Sequence, residues 1–134
     1  MLPEDIDAVV ASYHRSMHGG VFTDTFYDIF LAKSPEVAQK FRHTDFAHQK
    51  LALRQSLLMM IVFNRDSESV RDELEALGER HSSQNIDIPP HLYTLWLDAL
   101  CEALQLHDPK FTPQMEKKWR RAMQPGIDLL ISRY

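Results

Sequence analysis

A chain of 134 residues has room for one compact domain and leaves none for a second catalytic module. Its 44% hydrophobic and 25% charged residues are the usage of an ordinary globule, which excludes a fibrous repeat or a disordered chain. Fifteen Lys and Arg against nineteen Asp and Glu give a formal charge of −4, and Lys117–Lys118 with Arg120–Arg121 form the one basic cluster, so no broad nucleic-acid-binding face is expected.

Four glycines and no run that alternates as a strand does point to helices throughout. The opening MLPEDIDAVV carries acidic residues where a secretion signal needs basic ones, and Ile6, Val9, Val10 and Tyr13 put a first helix from about Pro3 to Met17, stopped by Gly19–Gly20. A second runs from about Thr23 to Ala32, with Phe22, Phe26, Ile29 and Phe30 as an aromatic stripe of the kind that ordinarily packs a core. Ser34-Pro35-Glu36 reads as an N-cap, a first-turn proline and an acidic first turn, giving a short helix through Phe41. After a polar break, Asp45 caps a long helix in which Phe46, Leu53, Leu57 and Met60 share one stripe. Asn64 to Ser69 reads as a polar turn, and Val70, Leu74 and Leu77 carry the next helix to about His81.

Pro89 and Pro90 prevent the stretch from Ser82 onward from staying helical, so it forms a loop. Leu92, Leu95, Trp96, Ala99, Leu100 and Ala103 then repeat at three and four, and His107-Asp108-Pro109 closes that helix. Thr112-Pro113 starts a last one through Trp119 and Met123, with a kink expected at Pro125 before Ile127, Leu129 and Leu130. The longest apolar run, Leu57 to Phe63, is far short of the ~20 residues a membrane span needs. A single cysteine, Cys101, cannot form an intrachain disulfide, which fits a reducing compartment. The expectation is a soluble cytoplasmic bundle of six or seven helices.

No phosphate-cradling glycine loop, Cys-x-x-Cys, His-Glu-x-x-His or serine elbow is present, so chemistry must come from seven histidines, one cysteine and the buried aromatics. His14 and His18 lie four apart on one helix, but no third ligand is spaced with them. His81 ends an amphipathic helix just before the proline loop. An imidazole there either stabilises the helix terminus or, presented inward and neutral, serves as an axial ligand for iron.

The stretch Phe26-Tyr27 through Ser34-Pro35-Glu36 to Phe41, with a phenylalanine fourteen residues after the tyrosine, closely resembles the second and third helices of bacterial globins. Asp45-Phe46-Ala47-His48-Gln49-Lys50 is similar to the start of the globin distal helix, and Gly78-Glu79-Arg80-His81 to the end of the helix bearing the proximal histidine. The resemblance is to single-domain bacterial globins and to the globin domain of flavohaemoglobins, from about Phe22 onward. It implies an all-α globin fold around haem b, with His81 as the iron ligand, Phe41 packed on the porphyrin, and Tyr27 as a hydroxyl donor to a bound gas that carries partial negative charge.

Gln49 is the preferred distal partner because Phe46 and Leu53 then share its face. His48 in its place would bring Ala52 and Ser56 inward, and Lys50 is a third candidate, as a propionate or sixth-ligand partner. Tyr93 and Trp96 fall where globins pack aromatic residues beside haem. A tyrosine there, with a glutamate on the last helix, hydrogen-bonds the proximal histidine of flavohaemoglobin-like globins, but no such glutamate occurs from Gln124 to Tyr134.

The resemblance implies binding of O2, NO or CO and a role in oxygen transport. Nitric oxide dioxygenase or peroxidase-like side activity would require an external reductase. Neither a nucleic acid nor a membrane is an expected partner, and the chain is a monomer or a homodimer. The alternative is a haemless globin-fold interaction or sensory module, which retention of His81, Tyr27 and Gln49 disfavours.

Overall fold

Short polar side chains set three of the helix starts. Ser34 Oγ accepts from the Val37 N–H at 3.2 Å, Asp45 Oδ1 from the Ala47 N–H at 3.1 Å, and Thr112 Oγ1 from the Met115 N–H at 3.1 Å. Each satisfies a donor that a helix end leaves open, and Pro35 and Pro113 sit in first turns where a missing N–H costs nothing. The computed structural model, which describes all 134 residues, consists of seven helices: α1 (Pro3–Met17), α2 (Phe22–Leu31), α3 (Pro35–Lys40), α4 (Phe46–Arg65), α5 (Ser67–Arg80), α6 (His91–His107) and α7 (Pro113–Ser132).

One cluster of 25 buried side chains joins these helices, so the chain has a single core. Helix α2 packs on α6, α4 and α5 pack on each other and on α7, and α1 lies against α4, α6 and α7. The short α3 packs on α2 and leads the chain across to α4. Gly126 on α7 allows α4 to approach closely, since a Cβ there would stand 3.0 Å from Met60 Cγ.

One sequence expectation changes here. The polar turn expected over Asn64–Ser69 is helix except at Asp66, the single residue between α4 and α5. Asn64 and Arg65 stay helical because the Asn64 amide is used elsewhere: Nδ2 donates to Met60 O at 3.1 Å and to Ala122 O on α7. Helix α7 contains Pro125 and continues beyond it, with Ile127 and Leu130 buried. Proline removes the donor that would meet the Arg121 carbonyl; the next carbonyl, Ala122 O, accepts from the Asn64 amide.

At one end of the bundle a polar network is sealed into the core. The side chain of Asp108 is fully buried and accepts from Ser12 Oγ at 2.6 Å, from Arg15 Nε at 2.6 Å and Nη2 at 3.0 Å, and from the Lys110 N–H at 2.9 Å. Burial pushes the Asp108 carboxyl up, but the bonds from Arg15, Ser12 and Lys110 outweigh it and hold the group below its ordinary value. Trp119 Nε1–H completes the network by donating to Ser12 Oγ at 2.9 Å. Nearby on α1, Ser16 Oγ is buried without a partner.

Cys101 lies in the core of α6 at 3% exposure. Burial pushes its thiol up to about 12; Arg120 lowers it, while Glu116, Asp98 and Glu102 raise it further.

Candidate functional site

A cavity of about 400 Å³ lies between α2, α3, α4, the C-terminal end of α5, α6 and α7. Its size falls within the range of ordinary ligand pockets, and its lining is mostly apolar. His81, Phe41, Tyr27, Gln49, Leu53, His48, Tyr93 and Trp96, the eight residues singled out from the sequence, all line it.

Tyr27 stands on α2 among aromatic rings, edge-on to Phe26, Phe41 and Phe46 with centroids 4.9, 5.6 and 5.5 Å away. These contacts fix the ring and leave the hydroxyl at the cavity, where it accepts from Gln49 Nε2 at 3.0 Å. Burial pushes the Tyr27 phenol up to about 12, partly offset by the Gln49 bond, so it stays protonated. No protein acceptor takes its O–H.

His81 is the C-cap of α5, with its backbone N–H bonded to Leu77 O at 3.1 Å and its carbonyl accepting from the Ile88 N–H at 2.9 Å. The backbone that carries the ring is thereby held on both sides along the chain. Nδ1 meets Tyr93 Oη at 3.1 Å, which leaves Nε2 without a protein partner. Burial, helped by the adjacent Arg80 charge, pushes the imidazole down to about 4, so it is neutral at physiological pH. A neutral ring with one nitrogen oriented by a hydroxyl and the other free has the form of a metal ligand.

On α4 the lining follows Gln49, Leu53, Ser56 and Met60, at i, i+4, i+7 and i+11, with His48 and Ala52 one step around the helix. This differs from the stripe expected from the sequence. Leu57 faces the core and not the cavity, while Ala52 and Ser56 line the cavity together with Gln49. The cavity subtends a wide arc of α4, so neighbouring registers both reach it. His48 is exposed at the edge, whereas Gln49 is half-buried and bonded to Tyr27.

Lys50 points elsewhere, pairing with Asp24 at 2.6 Å, and does not line the cavity. His14 on α1 and His18 at its C-cap are exposed, and no group of three or more His, Cys, Asp or Glu side chains is placed to hold a metal. From α7 the cavity receives Ile127 and Leu130, both apolar, so no carboxylate joins Tyr93 beside His81. Lys40, Arg80, Ile86 and Ile88 line the cavity without having been singled out. Their positions beside Phe41 and His81 were the available signal for Lys40 and Arg80; no periodicity marks the two isoleucines, which lie in a loop.

The model of the globin family matches residues 24–127. The chain belongs to the globin family. A crystal structure of a protein from Pseudomonas aeruginosa PAO1, described as structurally highly homologous to a human haemoglobin, superposes with a TM-score of 0.91. The two are 40% identical over 97% of this globin and 98% of that chain. No curated protein matched. The all-α globin fold expected from the sequence is the observed one, and membership places this globin among haem proteins that bind diatomic gases. No helix is long and apolar enough to cross a membrane.

Proposed function

We propose that this globin holds haem b through His81 Nε2 and binds O2, NO or CO beside Tyr27 and Gln49. The observation that carries the reading is a single apolar cavity containing both a neutral imidazole with an unpartnered Nε2 and a protonated phenol with an unused O–H. These residues fit the cofactor: the cavity is large and mostly apolar, the imidazole needs no proton removed before it coordinates, and Lys40 and Arg80 offer cations to the propionates. Bound haem supplies an iron centre that takes up a diatomic gas reversibly.

The chain's own residues do the rest. With Nε2 given to the iron, His81 Nδ1 would carry the proton and donate a hydrogen bond to Tyr93 Oη, which orients the ring and raises the basicity of Nε2. Phe41 would pack against the cofactor, and Leu53, Met60, Ile127 and Leu130 would keep water from it. Gln49 orients the Tyr27 hydroxyl, which would donate a hydrogen bond to a ligand carrying partial negative charge; in a dry site such a bond is stronger than in water. An external reductase is the partner this reading requires to keep the site ferrous, and nitric oxide detoxification would draw on the same partner.

Absorption spectra of the ferric, dithionite-reduced and CO-bound protein, reconstituted with haem, test the reading. A Soret band that shifts between these forms at one haem per chain is expected. His81→Ala should lose stoichiometric haem while keeping its helix content, and an unchanged Soret band in that variant would overturn the ligand assignment. A flat visible spectrum after reconstitution would favour the haemless module instead.

A further inference from the structure

The loop after His81 forms one side of the cavity mouth. Among the lining residues His48, Arg80 and Ile86 are exposed, so they mark where the cavity meets solvent. Ile86 and Ile88 belong to this loop, whose internal bonds are local: Ile86 N–H to Arg80 O at 3.1 Å and Asp87 N–H to Ser82 O at 2.9 Å. Asp87 has φ 59°, the one non-glycine residue in the left-handed region. Aspartate tolerates that conformation better than most residues, but it persists only where neighbours hold it.

Those neighbours come from the residues after α7. Tyr134 Oη donates to Asp87 Oδ1 at 2.5 Å, and Ser83 donates to Tyr134 O through both its N–H at 3.1 Å and its Oγ at 2.9 Å. Arg133 is anchored in turn on α5, 3.1 Å from Glu75 and 3.7 Å from Glu79. Its stem crosses Gly78 so closely that a Cβ there would stand 3.0 Å from Arg133 Cβ and Cγ. Toward α3 the hold is looser. Lys40 Nζ is 3.5 Å from Ile86 O and 3.9 Å from Asp87 Oδ2, at the outer limit of such contacts.

We propose that Arg133 and Tyr134 form a strap that fixes the 82–88 loop over the cavity mouth and so governs haem entry and escape, with Lys40 as a loose catch on the far side. Tyr134 acts through Asp87 and is a positioning residue. The retention role rests on reading the cavity as a haem pocket; the mechanical role does not.

Tyr134→Phe removes one hydroxyl. Asp87→Asn keeps an acceptor oxygen for Tyr134 and the tolerance for left-handed backbone. In the haem-free protein, amide hydrogen exchange at Ile86, Asp87 and Ile88 should quicken about three- to tenfold in Tyr134→Phe, the value of one hydrogen bond, and change less than about twofold in Asp87→Asn. Core amides and the urea midpoint should not move. Loop exchange equal to the parent's, or acceleration spread evenly over the core, would overturn the strap. In the haem-loaded protein, transfer of haem to an excess of an acceptor haemoprotein should quicken by the same factor. Unchanged transfer despite faster loop exchange would overturn the retention role alone. A chain that takes up no haem overturns the proposed function and the retention role together, while loop exchange still decides the strap.

Discussion

The two buried polar clusters of this globin are built on opposite principles. Around Asp108 the polar groups are paired with one another: the carboxylate accepts four bonds, Ser12 both donates and accepts, and the Trp119 indole N–H is taken. In the large cavity His81 and Tyr27 each have one side-chain partner and keep something in reserve, Nε2 on His81 and the O–H on Tyr27. A saturated network gives stability and offers nothing to a ligand. An unsaturated one forgoes stability and keeps the chemistry that binding needs.

Breaking the saturated cluster should have the largest effect. Asp108→Ala strands Ser12, the Lys110 N–H and part of Arg15 without an acceptor, and urea unfolding should show a loss of about 3 kcal/mol. A loss below about 1 kcal/mol would mean that water replaces the carboxylate and that the cluster is not sealed.

The clusters should also separate along pH, each losing stability in its own window. His81 is pushed down to about 4 in the folded chain against 6.5 unfolded, so between those values the unfolded state binds the extra proton. The haem-free protein should therefore lose up to about 3 kcal/mol as pH falls from 6.5 to 4 and no more from this group below that. In His81→Ala urea midpoints measured across this window should be nearly flat. Asp108, held below its ordinary 3.8, gives stability above that value that fades only on further acidification, so its contribution is lost in a lower window.

Smaller effects sharpen the view of the unsaturated cluster. Tyr27→Phe and Gln49→Leu should each speed O2 dissociation about tenfold, read by stopped flow, since each removes or disorients one donor. Unchanged rates in both would mean that His48 or another group faces the ligand. Tyr93→Phe should have the least effect, weakening haem retention by about 1 kcal/mol and lowering the iron–histidine stretching frequency, because Nδ1 loses its acceptor.

The helix starts at Ser34, Asp45 and Thr112 were legible because capping is a transaction within four residues. So was the Tyr27-to-Phe41 spacing, which sets the aromatic packing around the cavity. What escaped depends on partners far along the chain. Asn64 reads as a turn residue until α7 brings Ala122 O, 58 positions away, to its amide. Asp108 reads as a helix terminator, and its role appears only when α1 brings Ser12 and Arg15 from 96 and 93 positions earlier. Helical periodicity ranked Gln49 above His48, but it gives a face and not the width of the cavity opposite, and both residues reach it. Lys50 lies one position further on and is turned away to Asp24.

The lone thiol at Cys101 offers a practical handle. Held at 3% exposure and pushed up to about 12, it is silent toward alkylating and disulfide-exchange reagents while the native fold persists, and it becomes an ordinary thiol once α6 leaves the core. The chain thus carries its own label for global opening, so modification kinetics of the unaltered sequence report opening of the core. A cysteine introduced at the cavity mouth can take a spectroscopic probe without first deleting the native one.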